Sequence, residues 1–415
     1  MTTVMHPGDS LTGGQRLTYV IVLGLLTALG PFTIDLYLPA FPQVQDDLGV
    51  SESAVQITLG ATMVGFALGQ LLVGPLSDKV GRRGPLLLTS VLHVAASVGV
   101  LFSTNIEMLT VFRVLQGLGA AGGAVVATAM VRDLFGGRPL VRMLSRLALI
   151  NGLAPILAPV IGSQLLQITN WHGIFVFLGL YGVIVVFSVA FFIRETLPLE
   201  RRQGVAGQNS TVWQRYRNVF RDRVYVGTLF VGAFVFSGLF GYLQASPFLF
   251  QNHFGFDEQQ FGLLFAINSV GVMIGVQASS RLTKYIGPQW ILACSTTVLL
   301  TAASLIAIGD QLGWGFWGVA IPLWCFICAC GFSFPCIQVL ALVNHGHQAG
   351  TAASMLGASN FGFAGFISPV VGVLTATFVD LPATPMAIIM LGSALIASAS
   401  LWLVVRPWSV PELTD

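Results

Sequence analysis

Apolar runs long enough to cross a bilayer recur twelve times along the 415 residues, and no other property constrains the fold so tightly. Bounded by charge, Gly and Pro, they lie at about residues 17–38, 55–76, 85–104, 107–130, 143–166, 172–193, 224–250, 260–281, 289–309, 314–337, 351–378 and 384–405. A helical crossing needs about 20 apolar residues, so every run suffices. Composition closes off the alternatives. Only 9% of residues are charged, against about 25% in soluble proteins, and 55% are hydrophobic, which leaves too few polar side chains for a water-facing surface. A membrane β-barrel alternates polar and apolar residues and cannot reach this hydropathy. The expected class is an all-α integral membrane protein of twelve helices in two six-helix bundles.

The basic residues set the expected orientation. Of 19 Lys and Arg, eighteen fall in the tails, in the central linker or in every second loop, all on one side. The opposite loops hold only acids, among them Asp46, Asp47, Glu52, Glu107, Asp257, Glu258, Asp310 and Asp380. By the positive-inside rule both termini are expected in the cytoplasm. Expected divisions are tail 1–16, first bundle 17–193, cytoplasmic linker 194–223, second bundle 224–405 and tail 406–415. Residues 1–16 are polar and the first run is too long for a cleaved signal, so span 1 is expected to remain. Shifted by 206 positions, Gly69, Leu76 and Gly81 fall on Gly275, Leu282 and Gly287, a weak parallel repeat of the two halves. The chemistry is not repeated: Asp35 falls on Gly241, Asp78 on Lys284 and Arg113 on Val319.

Between spans 2 and 3 the chain reads Gly74-Pro-Leu-Ser-Asp78-Lys-Val-Gly81-Arg82-Arg83. Gly74 permits close helix approach, Gly81 a tight turn, and Asp78 can pair with an Arg or cap a helix. The stretch resembles the G-x-x-x-D-x-x-G-R-[RK] loop of the major facilitator superfamily, where it latches the cytoplasmic side. A basic loop that only sets topology would explain the arginines but not the acid and glycines. Span 4 carries Arg113, Gln116, Gly117, Gly119, Ala120 and Ala121 behind Leu109, and is similar to the superfamily's antiporter motif, L-x-x-x-R-x-x-Q-G-x-G-A-A. An Arg there costs about 2.5–3.5 kcal/mol to insert and needs a role; snorkelling to the interface is the alternative.

Span 1 ends Asp35-Leu-Tyr37-Leu-Pro39-Ala40-Phe41-Pro42, and D-x-Y-L-P-A-x-P resembles the Bcr/CflA branch of drug:H+ antiporters, associated with bicyclomycin and chloramphenicol resistance. Asp35 and Arg113 both sit in the outer halves of their helices, so a proton-switching pair is expected. Asp35 capping the end of helix 1 is the other reading. In span 5, Asn151-Gly152-Leu-Ala-Pro155-Ile-Leu-Ala-Pro159-Val-Ile-Gly162 departs from the usual G-P pair but looks like the Bcr/CflA variant. Pro155 and Pro159 predict a bend, with Gly152 and Gly162 at close contacts.

The second half offers uncharged polar groups, Gln244, Asn268, Gln277, Gln338, Asn344 and Asn360, with Phe236, Phe240, Tyr242 and Trp324. The expected cavity comprises Asp35, Tyr37, Arg113, Gln116, Asn151, Phe236, Phe240, Gln244 and Asn268, suited to an amphipathic drug. His93 faces lipid or a neighbouring helix. No metal site is expected: the five cysteines lack His or acid partners in their spans, and His345 and His347 stand alone.

The resemblance implies a monomeric, multi-pass exporter in a bacterial inner membrane, driven by the proton gradient without other cofactor and without nucleic-acid partners. Amphipathic compounds such as chloramphenicol or bicyclomycin are the implied substrates. A proton-coupled exporter or uptake symporter of a small metabolite would share the fold. An intramembrane enzyme would need a clustered nucleophile or metal set, and a channel a pore loop or charge ring; the sequence has neither.

Overall fold

The computed structural model describes residues 7–199, 202, 217, 219–345, 349–378 and 380–410. Among these, twelve helices are long and apolar enough to cross a membrane. They are α1 (Gly13–Asp35), α2 (Glu52–Val80), α3 (Arg83–Leu101), α4 (Ile106–Leu134), α5 (Gly137–Leu166) and α6 (Trp171–Phe192), followed by α7 (Arg223–Phe248), α8 (Glu258–Leu282), α9 (Pro288–Gln311), α10 (Gly315–Leu342), α11 (Ala349–Thr377) and α12 (Thr384–Ala399), the last continued by a π-helical segment at Ser400–Val405 so that its span runs to Ser409. All twelve expected spans are present. Most of the expected linker, including Arg201 and Arg215, and also His347, lie outside the described residues.

Local signals set the helix ends. Thr12 and Gln15 form a reciprocal capping box at the start of α1, and Asp257 with Gln260 does the same for α8. Asn105 and Asn170 cap α4 and α6 through their side chains. Helix α1 stops at Asp35, earlier than the apolar run suggests, and a 3₁₀ turn at Leu38–Ala40 leads into a separate short helix, Phe41–Leu48. Pro39 lacks an amide to continue the helix and Pro42 is preset for the first turn of the next.

Two compact units result, one drawn from residues 1–37 and 61–209, the other from 38–60 and 210–415. The division departs from a simple split at the linker because residues 38–60 pack with the second unit. The reason is an apolar face: Phe41, Val44, Val55 and Leu59 are fully buried, and the Phe41 ring lies 5.7 Å from that of Phe248.

In the first unit, Leu23 and Leu26 of α1, Val126, Met130 and Val131 of α4, Met143 and Leu147 of α5 and Val185 and Val189 of α6 form one core. Small residues allow the backbones to meet. A side chain at Gly117 would strike the Thr62 carbonyl of α2, and one at Gly119 the backbone of His93 on α3. In the second unit α8 and α10 approach likewise, Gly275 against Cys328 and Gly331 against Val272.

Candidate functional site

Two arginines of the first unit are buried, and their surroundings are opposite in kind. Arg82 sits at the turn between α2 and α3. Its guanidinium donates to Asp78 at 2.5 Å, to the Ser77 hydroxyl at 2.9 Å and, through Nε, to Asp133 at 2.8 Å. Asp133 comes from the last turn of α4 and also accepts from the Thr196 hydroxyl. The expected Asp78 pairing is therefore formed, within a larger cluster that includes Asp133.

Glu195, just beyond α6, completes this end. Its carboxylate accepts the backbone amides of Arg82 (2.8 Å), Arg83 (3.2 Å), Thr196 (3.0 Å) and Leu197 (2.9 Å), and Arg202 lies 3.3 Å away. It thus occupies the N-terminus of α3, where the helix dipole favours an anion. Burial alone would push the Glu195 carboxyl up, but the amides of Arg82, Leu197 and Arg83 and the charge of Arg202 outweigh it and hold the group below the usual carboxylate range. Arg83 anchors the same turn by donating to the Ala190 carbonyl. Gly81 has φ +105°, and a side chain there would collide with Arg202 and Glu195. Gly74 does not carry the close approach expected of it, since Val125 lies at ordinary contact distance. Gly65 and Gly69 do, against the backbone of α4.

Arg113 is fully buried in the middle of the unit. Its Nη1 donates to the Thr33 carbonyl at 3.1 Å and to Gln116 at 2.6 Å, and its guanidinium carbon lies 4.7 Å from the Tyr37 ring centre and 5.6 Å from that of Phe175. Nε and Nη2 have no hydrogen-bond partner among the described residues. Gln116 passes the chain on to Ser97 (2.8 Å), which donates to the His93 carbonyl, while the His93 ring meets the Thr33 hydroxyl at 3.0 Å. His93 is fully buried and faces α1 rather than lipid.

Among the described residues Arg113 has no carboxylate partner, and the expected Asp35–Arg113 ion pair is not formed. Helical spacing gives the reason. Thr33, whose carbonyl accepts Arg113, and Tyr37, whose ring covers it, are four residues apart and follow one another along α1 and its end. Asp35 is two positions from each, about 200° around the helix. It is buried all the same, at 6% exposure.

Other expected residues divide between the units. Tyr37 and Gln116 join Arg113, whereas Asn151 is exposed on α5. Helix α5 runs unbroken through Pro155 and Pro159. Gly162 meets the Leu36 carbonyl as expected, but Gly152 faces open space and makes no close contact. In the second unit Phe236 stacks with Phe240 at 6.4 Å, Asn268 donates to the Tyr242 hydroxyl at 3.1 Å, and buried Gln244 donates to Ser368 at 2.7 Å. No group of three His, Cys, Asp or Glu converges to hold a metal among the described residues.

The chain is 34% identical over 93% of its length to an uncharacterized MFS-type transporter of Bacillus subtilis, covering 95% of that protein. It is 30% identical to a bicyclomycin resistance protein homolog of Haemophilus influenzae, covering 90% of this chain and 92% of the relative. Its fold matches the D-xylose-proton symporter with a TM-score of 0.75 at 15% identity, over 96% of this chain and 98% of that one. Twelve spanning helices and bacterial relatives of this kind describe a multi-pass inner-membrane transporter rather than an enzyme. The model of the Major Facilitator Superfamily matches residues 23–369, and the chain belongs to that family.

Proposed function

We propose that the chain exports amphipathic small molecules in exchange for protons. The observation that carries this reading is Arg113, a fully buried cation with two unpartnered donors and no counter-ion among the described residues. A buried charge left in that condition is unfavourable by several kcal/mol unless another state of the cycle supplies an anion. Asp35 is the buried carboxylate nearest to it along α1, two residues from the Thr33 carbonyl that Arg113 already engages. Because α1 ends at Asp35, a modest rearrangement of the following turn redirects that carboxylate without breaking the helix.

In the proposed cycle, ionised Asp35 accompanies drug loading from the cytoplasm, and a proton from outside neutralises it as drug leaves. The neutral carrier then returns. Both termini and the Arg82 cluster lie in the cytoplasm, where that cluster latches the closed state, and the protein works as a monomer in the lipid bilayer. The names of relatives support the drug class: the bicyclomycin resistance homolog of Haemophilus influenzae and a multidrug resistance protein D of Escherichia coli, 27% identical over 83% of this chain.

Everted vesicles test the coupling. Chloramphenicol added to vesicles holding the wild-type protein should release protons, and Asp35→Asn should abolish the release while the protein remains inserted. Full drug-driven proton release by Asp35→Asn overturns the assignment.

A further inference from the structure

The second unit holds a cavity of about 520 Å³ at the ends of the helices whose loops bear acids and no Lys or Arg. Its wall includes Glu52 and Gln56 from the first turns of α2, Asn252 and His253 beyond α7, and the apolar side chains of Phe248 and Pro385. The volume falls within the roughly 300–1,000 Å³ usual for small-molecule sites.

Two polar groups make this wall unlike a passive crevice. Gln56 is 99% buried; its Nε2 donates to the Gln244 carbonyl at 3.4 Å, which fixes the amide orientation and leaves Oε1 without a donor. A buried acceptor in that state costs about 1–3 kcal/mol, so a turn of the amide that brought Oε1 to the cavity surface would let a ligand donate there and recover that cost. Glu52 lies one helical turn away, four residues earlier, on the same face of α2. Among the described residues its only hydrogen bond is from Asn252 at 3.4 Å, and no Lys, Arg or His pairs with it. A carboxylate and an unpaired carbonyl acceptor, one turn apart above an apolar floor, match an ammonium group carried on a hydrophobic body. A metal ion is poorly served, because Glu52 is the sole carboxylate among the described residues of the wall.

We propose that this cavity is a binding site for organic amines, with Glu52 opposing the ammonium charge, Gln56 Oε1 accepting one of its protons and Phe248 and Pro385 holding the hydrocarbon. The site shares no residue with the Asp35 and Arg113 region and does not depend on their role in coupling. It gives the second unit a selectivity for cations at the first turns of α2.

The test uses the full-length protein in nanodiscs, with no gradient, and 4-phenylbutylamine as probe. Calorimetry should show saturable binding, with the neutral analogue 4-phenylbutanol at least about tenfold weaker, as expected for loss of one charged hydrogen bond. Glu52→Gln and Gln56→Met should each weaken the amine by a similar factor, and Asp35→Asn should leave it unchanged. In a Thr375→Cys protein the amine should also slow maleimide labelling of that wall position. Equal binding of amine and alcohol, unchanged affinity in Glu52→Gln, or loss of binding only in Asp35→Asn would each overturn the proposal. Failure of proton coupling in vesicles would leave these results intact, so the two readings fail independently.

Discussion

Arg82 and Arg113 belong to the same unit, are both buried and are both expected from motifs, yet one is saturated and the other is starved. Arg82 engages Asp78, Asp133 and Ser77 in a cluster braced by Glu195 and Arg202. Arg113 has a carbonyl, an amide and two aromatic faces, none of them an anion. Desolvated cation–π contacts contribute about 2 kcal/mol each, which offsets only part of the cost of burying a charge. A saturated arginine holds one arrangement in place, whereas a starved one favours whatever brings it a negative charge. The first is a structural clasp and the second a switch.

The sharpest way to break that contrast is to remove each cation. Arg113→Ala should lower proton-coupled export at least about 100-fold, equivalent to about 2.7 kcal/mol, because the switch loses its only fixed charge. Stability should suffer little, since an uncompensated buried charge leaves with the side chain. Transport assays in vesicles and thermal unfolding of the purified protein read the two effects separately. If Arg113→Ala unfolds more readily than Arg82→Ala, the contrast is wrong.

Arg82→Ala should act in the opposite sense. It strands Asp133, whose side chain is 12% exposed, and frees Asp78, which is half exposed and adds little. A loss of about 3 kcal/mol follows from leaving one buried carboxylate unpaired. Arg82→Lys should recover part of it, because a single ammonium cannot span Asp78 and Asp133 as the fork does. Unfolding midpoints of the three proteins in one detergent check the order.

How far these features were legible in the sequence follows the range of the forces involved. Hydropathy is summed locally, so all twelve helices could be read, and the loop and span 4 motifs marked Arg82 and Arg113 as special. Asp133 and Glu195 were missed as partners although both were in view as acids on the strongly basic side, which is the signal that could have found them. Only the packing of α4 and the end of α6 against the turn brings them to Arg82. That Asp35 and Arg113 form no ion pair in this structure has a related reason. Both residues belong in outer half-helices, but helical phase gives Arg113 the Thr33 and Tyr37 face. Chain order places residues 38–60 with the first bundle and cannot show that Phe41 packs on Phe248.

The smallest effect concerns acid. Glu195 sits in the saturated cluster with its carboxyl held below the usual range by backbone amides and Arg202, against the opposing pull of burial. A group depressed in the folded state contributes stability above its unfolded value, about 4.3, and loses that contribution as pH falls through the folded value. Unfolding midpoints of the wild type should therefore decline below about pH 5 more steeply than those of Glu195→Gln, whose amide does not titrate. The carboxylate is about one-third exposed, so solvent screening keeps the difference small. Parallel slopes for the two proteins between pH 6 and pH 3 would mean that Glu195 is not charged by the α3 terminus, and that the cluster is held by Asp133 and Asp78 alone.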